Sequence, residues 1–476
     1  MIQMNHFTRT LLVAWTLGAM LCASEAAKPE TQPNILFVFA DDLCFDTINA
    51  LGNTEIHTPN LDRLVKRGMS FSHTYNMGSW SGAVCVASRA MLNTGHFLWQ
   101  AKNALGKLQP KGLMWSQRMQ AAGYDTYMAG KWHVKVPAGK IFNTTGAVRP
   151  GMPNQTKAGY HRPTSPDDKA WLPWDTSREG FWKGGKHWSE VLGDETVGFL
   201  EKAKDSDKPF FVYAAFNAPH DPRQSPKSFV DMYPLDKIAV PPNYLSEYPY
   251  KDSIGCSAGL RDEALAPFPR TEHAVKVHRQ EYYAIISHLD AQVGRMLDAL
   301  EASGKADNTY IFFTADHGLA VGQHGLLGKQ NMYDHSVRVP FIVCGPDIKA
   351  GSHSDTPIYL QDIVPTTLEL AGTDTDGVAF KSLNPLIAGK KDPHYAAIYG
   401  AYLNVQRMIT KDGFKLIYYP KAKIYRLYNL EHDPHEKDDL ADNPKHGAKL
   451  AMMKEALLAL QKDMGDPLVA KQNDAL

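Results

Sequence analysis

The sequence has 476 residues, of which 43% are hydrophobic and 21% are charged. These proportions are ordinary for a globular protein and argue against disorder. Lysine plus arginine and aspartate plus glutamate number 51 each, so the formal net charge is zero and no overall field directs the chain to nucleic acid or to an anionic membrane. An anion-binding site would therefore have to gather its positive charge locally. The length suits about three domains, or one large α/β domain with a smaller partner.

The first 27 residues are typical of an export signal. Arg9 provides a positive start, residues 11–22 form a short apolar run, and Ala23, Ala26 and Ala27 are small residues suited to cleavage. The run is too short for a membrane anchor, which must cross about 30 Å of hydrocarbon. We therefore predict an exported, periplasmic or extracellular protein with no integral membrane segment after removal of the signal.

Four cysteines remain after the signal, and their local sequences differ. A large core needs no disulfide staples, and the spacing matches no zinc site. We expect no required disulfide among Cys44, Cys85, Cys256 and Cys344.

Three apolar runs each end on polar residues. Continuous apolar runs are typical of central strands covered on both faces of a sheet. The runs and the polar residues that follow them are 34–40 before Asp41 and Asp42, 210–216 before Asn217 and His220, and 309–314 before Asp316 and His317.

Helical patterns lie between these runs. Thr58 and Pro59 begin a helix that ends near Gly68, and residues 278–303 carry apolar side chains at helical spacing. Strands that alternate with helices predict a mostly parallel sheet with helices on both faces, and ligands bind at the carboxyl ends of such strands. The three polar clusters are therefore expected to share one site.

The pattern changes near residue 374. Residues 397–399, 405–410 and 414–419 are typical of short strands, with a hairpin turn at Asp412-Gly413 and a final helix near 447–462. We predict a large domain over residues 28–373 and a small C-terminal α+β subdomain over 374–476, with an antiparallel sheet and a helix.

The acidic clusters suggest a metal. Asp41 and Asp42 are adjacent carboxylates that repel unless a cation neutralises them. An isolated Asp-Asp pair is more often a solvated turn. A second cluster, Asp316-His317, after another buried strand favours a hard cation such as calcium or magnesium.

Cys85 stands four residues before Arg89, near a predicted helix start. A cysteine in this setting is either a low-pKa thiolate or a buried structural residue. The segment CVASRAMLNTG, however, resembles the signature of the formylglycine-dependent sulfatases. It departs from the usual pattern at Ala87, where proline is commoner, and at His96, where arginine often follows the glycine.

Further segments resemble the same family in the same order. They run from residue 34 to residue 440, almost the whole chain after the signal. These segments are 123–126 (GYDT), 130–133 (GKWH), 218–220 (APH), 314–318 (TADHG), 328–329 (GK), 338–340 (RVP) and 427–440 (LYNLEHDPHEKDDL).

The resemblance implies an alkaline-phosphatase-like α/β fold and hydrolysis of sulfate esters, closest in pattern to carbohydrate and iduronate-type sulfatases. It implies that Cys85 is oxidised by a maturation enzyme to formylglycine, whose hydrate is the nucleophile. It also implies one bound calcium ion. The implied metal ligands are Asp41, Asp42, Asp316, His317 and the formylglycine from Cys85.

The resemblance also implies the remaining catalytic roles. Arg89, Lys131 and Lys329 would neutralise the sulfate, and Asp316 would take a proton from the hydrate. His220 would protonate the departing alcohol. His133 would then deprotonate the second hydroxyl, so that the aldehyde re-forms and sulfate leaves.

The substrate pocket is harder to predict. Trp171, Trp174 and Trp182 lie among basic residues in one long segment, as would suit a sulfated saccharide, although tryptophans also anchor loops. Arg223 is a further candidate for substrate binding or an exposed loop residue. His161, His187 and His335 are possible pocket residues that the sequence does not rank.

Two other functions stay open at this stage. Phosphonate monoester hydrolases and phosphodiesterases can share this fold and a formylglycine. A non-catalytic glycan-binding relative would result if Cys85 were not matured.

Overall fold

The apolar run before Asp41 and Asp42 is strand β1, Asn34–Ala40, and all seven of its residues are buried. In the computed structural model, which describes residues 1, 32–154, 163, 165–391 and 393–469, the residues from Pro33 onward form one compact unit. The predicted export signal and His161 lie outside the described residues.

The strands within the described residues are, in chain order, β1 (Asn34–Ala40), β2 (Met69–Tyr75), β3 (Gly78–Ser79), β4 (Asp125–Lys131), β5 (Thr144–Arg149), β6 (Phe210–Ala215), β7 (Thr309–Ala315), β8 (Arg338–Cys344), β9 (Ser352–Ser354), β10 (Ile358–Tyr359), β11 (Ile398–Tyr402), β12 (Gln406–Lys411), β13 (Phe414–Tyr419) and β14 (Ile424–Asn429). The α-helices are α1 (Pro59–Arg67), α2 (Val84–Thr94), α3 (Leu98–Leu108), α4 (Trp115–Ala121), α5 (Trp188–Lys204), α6 (Lys227–Val230), α7 (Lys251–Ile254), α8 (Glu272–Ala302), α9 (Asp334–Val337), α10 (Ile363–Leu370), α11 (Asn384–Ile387) and α12 (Gly447–Asp463).

The large sheet has nine strands and is mostly parallel, as predicted. Its order is β10-β2-β8-β7-β1-β6-β4-β5, and β9 pairs with β2. Strand β8 runs antiparallel to both β2 and β7. Strand β1 lies in the middle, parallel to β6 and to β7.

Two groups of helices accompany this sheet, consistent with the predicted cover on both faces. In one group α1, α5 and α6 contact α8, and in the other α3 and α4 contact α2 while α10 contacts α4. The predicted helix at 278–303 begins earlier, at Glu272, because the Thr271 side chain caps it by accepting a hydrogen bond from the Ala274 amide at 3.1 Å. Within the described residues, no helix combines the length and the apolar character needed to cross a membrane.

The small sheet has the order β14-β13-β12-β11-β3. The predicted hairpin at Asp412-Gly413 joins β12 and β13, with positive φ at both residues. The sequence prediction missed β14, and it also missed that β3 comes from far earlier in the chain. The division at residue 374 stays a prediction.

Gly78 in β3 lies close to β11, the strand next to β3 in the small sheet. A Cβ atom at this position would stand 2.0 Å from the Ala401 carbonyl oxygen. Since no side chain fits there, glycine is required where β3 pairs with β11.

Helix α2 lies between two hydrophobic cores. Ala90 and Leu92 belong to the core of the large sheet, whereas Val84, Ala87 and Met91 belong to the core of the small sheet. The position of Cys85 and Arg89 is therefore determined by both sheets together.

Candidate active site

Four neighbouring parallel strands bring the predicted polar residues to one edge of the large sheet. Strands β7, β1, β6 and β4 lie side by side. Asp316 follows β7, Asp41 follows β1, His220 follows β6, and Lys131 is the last residue of β4. Each of these side chains is buried. The structure therefore brings the three predicted polar clusters together at the carboxyl ends of these strands, where ligands of parallel sheets bind.

Helix α2 adds two residues from above this edge. Cys85 lies in its first turn and is 3% exposed, and Arg89 follows one turn later, fully buried. The Arg89 guanidinium donates from Nε to Asp316 Oδ2 at 3.0 Å and from Nη1 to the Lys131 carbonyl at 2.9 Å. Arg89 therefore holds α2 against β4 and the loop after β7.

A group of four side chains is compact enough to hold one metal ion. The nearest ligand atoms of Asp41, Cys85, Asp316 and His317 all lie within 4.8 Å of one another. Asp42 is close to the same group, because its Oδ1 is 3.2 Å from His317 Nε2.

Several ligand atoms of this group lack hydrogen-bond partners among the described residues. They are Asp41 Oδ1, Asp42 Oδ1 and His317 Nε2, all buried; the 3.2 Å approach of the last two is an ion-pair contact without hydrogen-bond geometry. Buried carboxylate oxygens without donors are costly unless a cation binds them. An oxygen-rich set with one imidazole therefore fits a hard divalent cation.

Lysines neutralise the two carboxylates that follow β1. Lys131 Nζ contacts Asp41 Oδ2, and Lys329 Nζ donates to Asp42 Oδ2 at 2.7 Å. With Arg89 beside Asp316, three buried cations match three buried carboxylates. A divalent cation and a sulfate monoester would add charges of opposite sign to this balanced set.

The carboxylates differ in their pKa. Burial raises the pKa of Asp41, and the neighbouring Asp316 raises it further. Burial also raises the pKa of Asp42, against the effect of Lys329. Burial raises the pKa of Asp316 too, but His317, Arg89 and Lys131 outweigh this effect and hold the pKa far below the usual range. Asp316 is therefore the member of the group that stays ionised most readily.

Cys85 lies in an environment that favours its thiolate. Burial alone would raise the thiol pKa, but Lys131, the nearby His133 and His317 rings, and Lys329 together lower it well below the usual value. The same surroundings would stabilise negative charge on any oxygen that replaced the sulfur.

A cavity of about 480 Å³ opens onto Cys85. Four predicted site residues line it, namely Cys85, His133, His220 and Lys329. Gly151 permits this shape, since a Cβ atom there would lie 2.4 Å from the His133 ring. The other lining residues are Gly82, Ala83, Pro150, Gly151, Met152, Leu260, Arg261, Asp262 and Gln330.

The tryptophans predicted to bind substrate lie elsewhere in the structure. Trp171 and Trp174 line a second cavity of about 420 Å³ together with Glu281, whose Oε1 accepts a hydrogen bond from Trp171 Nε1. Trp182 donates from Nε1 to the Pro173 carbonyl at 3.4 Å. None of the three is among the described residues that line the Cys85 cavity, and their part in substrate binding stays a prediction.

Arg223, His187 and His335 are also apart from the Cys85 cavity in the described part of the chain. Arg223 is buried, and its Nη2 lies 2.5 Å from His278 Nδ1 on α8. His187 Nε2 lies 3.0 Å from the Gln224 carbonyl, and His335 Nε2 lies 3.2 Å from His324 Nδ1.

Sequence reasoning missed Asp221, Arg261 and Asp262, which lie in or beside the cavity wall. Asp221 had a signal in the sequence, since it directly follows His220. Arg261 and Asp262 had none, because they come from an irregular segment about 40 residues away.

Comparison with known proteins gives matches over nearly the same range as the sequence motifs, which run from residue 34 to residue 440. Residues 33–373 match the family model described as Sulfatase, and residues 322–463 match the model described as N-sulphoglucosamine sulphohydrolase, C-terminal. An arylsulfatase of Clostridium perfringens is 27% identical, over 90% of this chain and 94% of the relative. An N-acetylglucosamine-6-O-sulfatase of Bacteroides thetaiotaomicron is 26% identical, over 98% of this chain and 92% of the relative.

Solved structures share the fold. A protein in complex with its substrate D-glucosamine-2-N,6-O-disulfate superposes with a TM-score of 0.72 at 23% identity, covering 92% of this chain and 99% of that protein. A phosphonate monoester hydrolase of Agrobacterium radiobacter superposes with a TM-score of 0.67 at 20% identity, covering 91% and 96%. At such identities the likeness shows the fold alone.

Proposed function

The chain belongs to the sulfatase family and is a sulfuric ester hydrolase, and we propose that it removes sulfate from a sulfated saccharide with a formylglycine made from Cys85 and one bound Ca²⁺. The observation that carries this proposal is the juxtaposition of Cys85 with three buried carboxylates and three buried cations. The match to N-acetylglucosamine-6-O-sulfatase supports the choice of a saccharide.

The residues that would hold the metal are Asp41, Asp42, Asp316, His317 and the modified Cys85. Three carboxylates favour calcium over zinc, which prefers nitrogen and sulfur ligands. When bound, the ion would polarise a sulfate oxygen and lower the pKa of a hydroxyl at position 85. Asp316, whose pKa is held low so that it stays ionised, is the residue to which we assign acceptance of the proton of this hydroxyl.

The cations of the site would bind the sulfate and the charge that develops on it. Lys131 and Lys329 carry ammonium groups beside Asp41 and Asp42. Arg89 has its Nη2 3.8 Å from Asp41 Oδ1 and donates hydrogen bonds to Asp316 and to the Lys131 carbonyl, which hold these neighbours in place. Fixed cations in a dry site stabilise a transition state more than mobile solvent does.

Two histidines would move protons. We assign to His220 the donation of a proton to the departing alcohol, and to His133 the removal of a proton when sulfate is released. Burial, Lys329 and Lys131 hold the pKa of His220 well below its usual value. A bound sulfate adds negative charge beside these lysines and raises that pKa, so that His220 gains its proton together with the substrate.

Mass spectrometry and a substrate comparison test this proposal. The peptide that contains Cys85 should carry an aldehyde in protein made with a maturation enzyme, and a thiol in protein made without one. The matured protein should hydrolyse a member of a panel of sulfated saccharides, and the thiol form should not.

The same experiment decides between the alternatives. Phosphonate monoester hydrolases share this fold, and a strong preference for phosphonate or phosphate esters over every sulfate ester would replace the proposed function. Saccharide binding without turnover, by a chain whose Cys85 stays a thiol under maturation conditions, would indicate a glycan-binding protein instead.

We also propose export to the periplasm or the extracellular space. The apolar segment before residue 27 supports it. Export predicts a mature protein that begins near residues 24–28, and N-terminal sequencing of protein from the culture medium or periplasm tests this.

A further inference from the structure

Charged side chains in and beside one wall of the Cys85 cavity form a series of ion pairs that the roles assigned above leave out. Asp221, Arg261 and Asp262 connect His220 on one side with Lys329 on the other. The carboxyl groups of Asp221 and Asp262 are only 3% and 4% exposed, whereas the Arg261 side chain is 38% exposed and lines the cavity.

The first link of this series determines the orientation of the His220 ring. Nδ1 lies 2.8 Å from the Asp221 carbonyl oxygen and 3.2 Å from Asp221 Oδ1. Two acceptors at this distance require a hydrogen on Nδ1, which assigns the tautomer. Nε2 is then the nitrogen directed toward the reaction centre, 3.8 Å from Asp42 Oδ2.

The second link holds Asp221 itself. Arg261 Nη1 donates to Asp221 Oδ2 at 2.5 Å, and Nη2 contacts Asp262 Oδ1. The planar guanidinium, placed between two buried carboxylates, restricts the rotation of both. Because Asp221 Oδ2 is engaged by Arg261, its other oxygen remains turned toward His220.

The series of charged contacts continues from Asp262 to Lys329, on the side of the cavity proposed to bind sulfate. Asp262 Oδ2 accepts a hydrogen bond from Gln330 Nε2 at 2.6 Å and lies 3.8 Å from Lys329 Nζ. Arg261 is therefore linked through one carboxylate to the proton donor and through the other to a lysine of the anion site.

We propose that Asp221 and Arg261 are positioning residues that hold the His220 ring with Nε2 aimed at the ester oxygen that leaves. As the nucleophile at position 85 bonds to sulfur and the bond between sulfur and the leaving oxygen breaks, the electron pair of that bond stays on the oxygen. The Nε2 proton of the His220 imidazolium moves to this oxygen, so that a neutral alcohol departs and His220 is left neutral with its hydrogen on Nδ1. This inference rests on the proposed role of His220 as proton donor.

The need for this proton depends on the leaving group, and this dependence separates positioning from a purely structural role. A saccharide hydroxyl is a poor leaving group that requires protonation, whereas a nitrophenolate leaves without it. A structural defect would lower turnover of both kinds of ester alike. Loss of positioning would lower kcat on the alkyl ester selectively, with little change in KM.

The test compares variants of the matured enzyme on a sulfated monosaccharide and on p-nitrophenyl sulfate. Asp221→Asn and Arg261→Met should each lose about 10- to 100-fold in kcat on the saccharide, a part of the ~10²–10⁴-fold that general acid catalysis contributes, and less than about 3-fold on the aryl ester. Arg261→Lys, which keeps the charge, should restore part of the loss. Asp194→Asn is a matched control, because Asp194 pairs with Arg295 at 2.7 Å on the exposed surface of α5, and both activities should stay at the parent level.

His220→Ala makes the two possible failures distinguishable. If this variant loses both activities equally, the proposed role of His220 fails. If it is selective for the saccharide but Asp221→Asn and Arg261→Met lose both activities equally, or neither, the positioning role is overturned while the proposed function stands. Asp221→Asn and Arg261→Met disrupt different contacts of the series. Thermal melting curves identify which of the two variants folds, and one folded variant is enough to decide the question.

Discussion

Replacing Arg89 by methionine should destabilise the protein strongly. Arg89 is fully buried and pairs with Asp316 at 3.0 Å, and neither side chain is exposed. Removing one partner leaves a buried carboxylate without its donor, which typically costs about 3–5 kcal/mol. Arg89→Lys keeps the charge but not the forked geometry, so its loss should be smaller.

Urea unfolding followed by tryptophan fluorescence measures this change in a protein with nine tryptophans. The control is Arg63→Met, because Arg63 pairs with Asp298 at the same 3.0 Å but with side chains 36% and 67% exposed. Exposed pairs contribute about 0–1 kcal/mol. The reasoning is refuted if the free energies of unfolding of Arg89→Met and Arg63→Met fall by the same amount.

The loss of stability at low pH gives a second measure of the pair formed by Arg89 and Asp316. Arg89 and His317 hold the pKa of Asp316 low against burial, so the ionised carboxylate stabilises the fold above its ordinary pKa of about 3.9. This stability is lost as the pH falls through the folded-state value. In Arg89→Met that value rises, and unfolding by acid, measured in EDTA, should begin at a higher pH than in the parent.

Three further predictions concern the nucleophile, the metal and the small sheet. Cys85→Ala should abolish sulfate release while its melting temperature stays close to the parent's. Sulfate release by Cys85→Ala at the parent's rate would contradict the mechanism. Calcium at 100 times the parent's Kd should raise the parent's free energy of unfolding by about 2.7 kcal/mol. At the same calcium concentration Asp42→Asn should lose most of this gain, as a calcium titration of unfolding measures. A gain equal to the parent's would exclude Asp42 as a ligand. Arg407→Met breaks a buried pair in which Nε lies 2.5 Å from Asp466 Oδ2; urea unfolding should show a loss of about 3–5 kcal/mol, and a loss below about 1 kcal/mol would show that the pair adds little.

The strands that carry the site could be predicted because their sequences are continuous apolar runs. Strand β1 has the predicted bounds, and β6 and β7 differ from theirs by one residue. Central strands buried on both faces leave this pattern in any sequence. The polar residues directly after them could therefore be placed at one edge of the sheet before the structure was known.

Contacts made by irregular segments could not be predicted in this way. Arg261 and Asp262 reach the cavity from a stretch with no apolar periodicity, and β3 is only two residues long. The long segment with Trp171 and Trp174 illustrates the opposite case, since its composition suggested a ligand but did not show which cavity it lines. In such segments tertiary packing, which local sequence does not encode, decides where a side chain lies.

The pairing of β3 with β11 has a consequence for the order of events during synthesis. Gly78 and Ala401 are neighbours in the small sheet but are made about 320 residues apart, which at ~5–20 residues per second takes roughly 15–65 s. Throughout that interval the segment leading into Cys85 has no partner strand, and the core of the small sheet beneath α2 does not yet exist. Once the sheet closes, the Cys85 side chain is 3% exposed. A maturation enzyme would therefore act on a nascent or newly released chain, and slower translation downstream of residue 85 would lengthen the time open to it.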